Sequence, residues 1–81
     1  MAVQAYVLIN VKAGKAYEVW EKLEKFKEVQ QVDAVSGPYD IIALVRCLDF
    51  DTLGYFVLEK VQKLDGVERT ITCPIFRLTE H

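Results

Sequence analysis

An α+β sandwich, with four antiparallel strands and two helices packed on one face of the sheet, is the fold class this sequence predicts. Three observations lead there. Four segments alternate apolar and polar residues or run apolar through both registers, as strands do. Two segments between them repeat apolar residues at helical spacing. The six elements follow the order βαββαβ, which is the split βαβ arrangement that returns both helices to the same side of the sheet.

Val3 to Val11 alternates cleanly, with Val3, Ala5, Val7, Ile9 and Val11 on one face and Gln4, Tyr6, Leu8 and Asn10 on the other. This is the first strand, and Tyr6 and Leu8 keep its second face half apolar. Ala13-Gly14 breaks the run, and Gly14 is an acceptable helix cap. From Lys15 to about Lys27, Ala16, Val19, Trp20, Leu23 and Phe26 form one apolar stripe, so Trp20 is read as core. On the opposite side, Glu18 with Lys22 and Glu21 with Lys25 are spaced to pair one helical turn apart.

Val29 to Val35 reads as a second strand, polar enough to be an edge, and Ser36-Gly37-Pro38 is a turn by composition. The third strand, Asp40 to Cys47, again has two apolar faces: Ile41, Ala43, Val45 and Cys47 against Ile42, Leu44 and Arg46. Asp49 or Asp51 can cap the second helix, which carries Leu53, Phe56, Val57, Val61 and Leu64. Lys60 and Lys63 suit its last turn electrostatically, and Gly66 supplies a left-handed stop. Gly54 inside it costs about 1 kcal/mol relative to alanine, which a close helix–sheet approach would explain. Val67 to Leu78 is the fourth strand; Pro74 cannot donate to a ladder, so this strand belongs at an edge or is bulged there. The pattern is that of a ferredoxin-like sandwich, and residues 1–81 are expected to make a single domain.

Composition limits what such a domain can do. Of its 81 residues 52% are hydrophobic, more than so small a chain can hide in one core, so self-association is the expected outlet. Both helices are expected on one sheet face, leaving Tyr6, Leu8, Ile42 and Leu44 uncovered on the other. An exposed apolar patch of this kind marks an interface, and a face-to-face homodimer follows. A formal charge of −2, from 10 basic and 12 acidic residues interspersed along the chain, argues against a nucleic-acid footprint, so direct DNA binding is not expected. The apolar stretches are too short for a membrane span, and the first residues lack the features of a secretory signal, so a cytoplasmic protein is expected. Cys47 and Cys73 both fall in apolar strand-like runs. A disulfide between them is compatible with the sequence, but reduced, buried thiols are the expectation.

Chemistry-bearing residues are sparse. The one histidine, His81, is terminal, and there is no Cys-x-x-Cys, Gly-rich phosphate loop or Ser/His/Asp set, so no catalytic residue, metal site or cofactor is assigned. The informative segment is Ser36-Gly37-Pro38-Tyr39-Asp40, a turn between two apolar runs. Asp40 can pair with a ligand ammonium in a charge-assisted contact, or simply fix the turn through its own backbone. Gly37 serves either backbone geometry or close approach of a ligand. Tyr39 closes a pocket or fills the edge of the sandwich. Thr70 and Thr72 share one strand face, where their hydroxyls line a site or are ordinary strand residues.

In combination, Ala5-Tyr6-Val7-Leu8-Ile9, Gly37-Pro38-Tyr39-Asp40 and Gly66-Val67-Glu68-Arg69-Thr70-Ile71-Thr72 make nearly the whole chain resemble the effector-binding (RAM) domain of the Lrp/AsnC, or feast/famine, transcription regulators. Regulators of that family carry an N-terminal helix-turn-helix domain, whereas this sequence begins at the first strand of the sensor domain and so resembles a stand-alone form. The resemblance implies dimers that assemble further, with an amino acid or related metabolite held between dimers. It places the ligand at Gly37, Tyr39, Asp40, Thr70 and Thr72. Pro38 removes one backbone donor from that turn, and Cys73 alters the polarity nearby.

The leading expectation is therefore an amino-acid or metabolite sensor that oligomerises and modulates transcription through full-length Lrp/AsnC regulators, without catalysis. One alternative is a small enzyme of the dimeric α+β-barrel type, for which Asp40 and Arg46 are the only ionisable candidates near strand ends. The other is a structural partner subunit with no ligand.

Overall fold

In the computed structural model, which describes residues 2–76 and 78, the element order is β1 (Val3–Val11), α1 (Ala16–Glu24), β2 (Val29–Ala34), β3 (Ile41–Cys47), α2 (Phe50–Phe56) and β4 (Val67–Pro74). A π-helical turn, Val57–Val61, continues α2. The strands form one antiparallel sheet in the order β2-β3-β1-β4, the ferredoxin-like arrangement. The two strands with the polar or proline-bearing sequences, β2 and β4, are the edges, as their composition predicts. His81 lies outside the described residues.

Register fixes which residues share a face. Val7 of β1 stands opposite Ala43 of β3 and Thr72 of β4, while Ile9 stands opposite Ile41 and Thr70. The helices cover this side. Ala5, Val7, Ile9, Ile41, Ala43, Val45 and Cys47 are buried there with Val19 and Leu23 of α1, Leu53 and Phe56 of α2, and Val57 and Val61 of the π turn. Phe26 closes one end of this core edge-on to Phe56, with ring centroids 5.4 Å apart. Trp20 packs against the core from its rim and donates its indole N–H to the Val32 carbonyl at 3.1 Å, which occupies a main-chain acceptor of edge strand β2.

Several local expectations are corrected. α1 ends at Glu24 rather than near Lys27, because the Lys25 and Phe26 amides turn back onto Lys22 and Leu23 to bring the chain to β2. Its N-cap is Lys15, without a side-chain cap; Gly14 instead takes a left-handed conformation (φ 83°) in the preceding turn. The ion pairs expected along α1 do not close. Lys15 reaches Glu18 at 3.5 Å and Asp65 at 3.4 Å instead, and the hydrogen bond to Asp65 raises its pKa most. β4 ends at Pro74, not Leu78, since the chain leaves the ladder where proline offers no donor.

At the second helix Asp49, not Asp51, is the N-cap, accepting the Thr52 amide at 2.8 Å; that bond holds its carboxyl below the usual carboxylate range. Gly66 does end the segment with φ 101°, and a Cβ there would meet Lys15 Cβ at 2.8 Å. Gly54 shows no close approach at all: it is exposed, with nothing within 4 Å of where a Cβ would stand. The cysteines also part company. Cys47 is buried on the helix side, where burial pushes its thiol pKa up, and Cys73 is exposed on the other face, so the two are free and face opposite ways.

Candidate functional site

The loop between β2 and β3 is closed by one hydrogen bond of its own and tied to the end of β1 by three more. Val35 N donates to Asp40 O at 2.9 Å, and Asp40 N donates to Ile9 O at 3.0 Å. Beyond that point β3 has no residue left to pair with Val11, and the Asp40 side chain takes over: Val11 N donates to Asp40 Oδ2 at 2.9 Å. Asn10 Nδ2 donates to Pro38 O at 2.9 Å and holds the crest of the loop. Asp40 thus caps the neighbouring strand across the sheet rather than its own turn. The other oxygen, Oδ1, makes no hydrogen bond among the described residues. A carboxylate has about four acceptor positions, so this cap leaves capacity for a cation.

Gly37 and Pro38 are exposed at the crest, and Tyr39 is half-buried beside Asp40. A Cβ on Gly37 would meet nothing within 4 Å. These residues therefore stand together at one end of the sheet. Thr70 and Thr72 do not join them. They pair with Ile9 and Val7 on the helix side of β4, with β1 lying between them and the loop. Two strand spacings separate Thr70 from Asp40, about 10 Å of backbone. Thr70 Oγ1 accepts from Gln62 Nε2 at 2.8 Å, and the pair borders an open groove lined by Gln62, Val67, Glu68, Arg69 and Thr70. Within one chain the five residues expected at one site fall into two separate groups.

Asp40 and Arg46 stand at opposite ends of β3, about 20 Å apart at the rise of a strand. They cannot act on one small substrate within a single copy.

The second feature is the helix-free face of the sheet. Tyr6 is paired with Leu44, and Leu8 with Ile42, so these four side chains form one continuous patch. β4 adds Ile71 opposite Leu8 and Cys73 opposite Tyr6. On the β2 side, Gln31 and Asp33 form a polar rim to a shallow depression that also includes Tyr6, Ile42 and Leu44. Tyr6 is 45% exposed, and Leu8, Ile42, Leu44 and Ile71 are all partly exposed.

Sequence reasoning missed Asn10, Gln62 and Ile71. Asn10 was legible only as a polar residue closing an apolar strand. Gln62 carried no signal, since its partner is reached through a non-α turn. Ile71 was hidden between two threonines.

Comparison with known proteins places these observations. A family model described as the Lrp/AsnC ligand binding domain matches residues 4–79. The HTH-type transcriptional regulator FL11 of Pyrococcus furiosus is 38% identical over 74 residues, covering 91% of this chain and 48% of the regulator. Among solved structures, TTHA0845 from Thermus thermophilus superposes with a TM-score of 0.89 at 35% identity, covering 98% of this chain and 99% of that one. AsnC of E. coli gives a TM-score of 0.88 at 25% identity, covering 98% of this chain and 54% of that one. The chain spans about half the length of the curated relatives it matches. Among the described residues, no helix is long and apolar enough to cross a membrane.

Proposed function

This chain belongs to the Lrp/AsnC ligand-binding domain family, and from that footing we propose that it senses an α-amino acid or related metabolite and passes the signal to transcription regulators by a change in assembly. The observation that carries the reading is the family match over residues 4–79. Its relatives named as transcriptional regulators support a regulatory rather than an enzymatic role.

The helix-free face supports a homodimer. Tyr6, Leu8, Ile42 and Leu44 form a self-complementary patch with a polar rim, the form expected of an isologous contact. Ile71 enlarges it. The separation of the two groups supports a further step of assembly. The loop Gly37–Asp40 of one copy is displayed at the sheet end, and the groove beside Thr70 lies open on the free edge of another. A ligand held between them would join Asp40, with an oxygen free for the ammonium, to the hydroxyls of Thr70 and Thr72, with Gly37 and Tyr39 at the mouth. Binding that requires two copies favours the assembled state by mass action, and the ligand shifts the population by its differential affinity for that state. Full-length regulators of the same family are the partners through which such a shift would reach DNA.

Asp40→Asn tests the reading more cleanly than Asp40→Ala. Asparagine keeps an acceptor for the Val11 amide and removes only the charge, whereas alanine also removes the cap. The expected result is stabilisation of the wild type in a thermal-shift screen of the L-amino acids. Calorimetry with the best of them should show Asp40→Asn binding about tenfold or more weakly. If no amino acid stabilises the wild type, or if the variant binds as tightly, the site is misplaced.

A further inference from the structure

The turn Val57–Val61 departs from α geometry: the Gln62 amide donates to Val57 O at 2.9 Å, five residues back instead of four. Such turns widen the helix by one residue and recur at functional sites. The residue that closes this one is Gln62, and its side chain crosses to β4 to donate to Thr70. Gln62 itself is exposed and carries no part of the core.

The direction of that hydrogen bond matters. An amide NH₂ can only donate, so Thr70 Oγ1 is the acceptor, and the threonine's own proton is left for some other acceptor. On its outer side β4 has no neighbouring strand, because it is the edge of the sheet. Arg69, the preceding residue of β4, also borders the groove. A hydroxyl left free to donate suits an anionic oxygen acceptor, the chemistry of a carboxylate.

We infer that Gln62 is a positioning residue: through the 2.8 Å bond it holds Thr70 as a donor toward a ligand carboxylate, so the site prefers a free α-amino acid to its amide. This rests on the amino-acid reading above and names a residue and a selectivity that reading lacks.

The test is a double-mutant cycle on the intact chain, with the L-α-amino acids and their primary amides as probes at millimolar concentration. Binding of the most stabilising acid is compared in wild type, Gln62→Met, Thr70→Val and the double variant. Gln62→Met and Thr70→Val should each weaken binding about three- to tenfold, the worth of one hydrogen bond. The double variant should be no weaker than Thr70→Val alone, because the glutamine acts only through the threonine. Thr70→Ser, which keeps the hydroxyl, should bind near wild type. The ligand-free melting temperature of Gln62→Met should match wild type, which separates positioning from folding.

Each contrary outcome is decisive. If no acid stabilises the wild type, the amino-acid reading fails and this inference fails with it. If the acid binds but the two losses multiply in the double variant, Gln62 acts independently and only the inference is overturned. Equal binding of acid and amide by the wild type overturns it as well, since the carboxylate is then not what Thr70 reads.

Discussion

The two faces of this sheet are built from the same strands and much the same residues, yet only one is closed by the chain. On the helix side Ala5, Val7, Ile9, Ile41 and Val45 are fully buried. One residue along in each strand, Tyr6, Leu8, Ile42 and Leu44 remain in part accessible. Strand alternation normally separates core from solvent, so a sheet that alternates apolar with apolar declares two contacts. The first is met by α1 and α2. The second is the surface proposed for a partner copy, and on that proposal the fold and the assembly are two readings of one pattern.

The largest expected effect falls on the closed face. Ile9→Ala removes a fully buried side chain, and such truncations cost about 2–5 kcal/mol of stability. The cost should be the same at every protein concentration, because the cavity lies within one copy. Ile42→Ala, on the open face, should cost less, and its cost should vary with protein concentration because part of the lost contact lies between copies. Urea melts at several protein concentrations read the difference directly. A concentration-independent effect at Ile42 would break the comparison.

A charge on the open face sharpens it further. Leu8→Glu buries an unpaired carboxylate in the proposed dimer and should dissociate it, as light scattering would show. The cysteines provide an internal readout. Cys73 stands beside Tyr6 on the open face, and Cys47 lies under the helices with its thiol pKa raised by burial. In Leu8→Glu, alkylation of Cys73 should become faster as its cover is lost. Cys47 should stay slow in both proteins, since a raised pKa leaves less thiolate at neutral pH. Equal Cys73 rates in variant and wild type would mean that nothing covers the face.

How much of this was legible in the sequence follows from what periodicity can carry. The alternation in Val3–Val11 located β1 to the residue, the polar run at Val29–Val35 marked one edge, and Pro74 limited β4 to an edge or a bulge, of which the structure shows the edge. The Gly37–Asp40 turn was legible as a unit because its residues are contiguous. Thr70 and Thr72 were correctly read as sharing a face, but period two does not say which face. Only the pairing of Ile9 with Thr70 puts them beneath the helices, apart from Asp40. Asp40 as the cap for Val11, 29 residues away, and Gln62 as the donor to Thr70 depend on tertiary register and on a non-α turn. Neither leaves a local trace. The resemblance supplied the five residues as one site, and the single-chain geometry divides them into two groups, which the proposed assembly would reunite.

The smallest expected effect tests a third surface, the outer side of α2. A close helix–sheet approach would have explained Gly54, but the residue faces away from the core with open space around it. Within one copy nothing offsets its low helix propensity, so Gly54→Ala should stabilise the fold by about 1 kcal/mol. Phe50, Tyr55 and Leu58 are exposed on the same helical segment, at 61%, 62% and 57%. The sign of the change therefore reports on more than propensity. A gain that is the same at all concentrations means that the outer side of α2 faces solvent, unlike the open face of the sheet. A gain that shrinks or reverses as concentration rises means that another copy approaches the helix closely at Gly54, and that this surface too is an unfinished contact. Urea melts of Gly54→Ala and wild type, run at matched low and high protein concentration, distinguish the two.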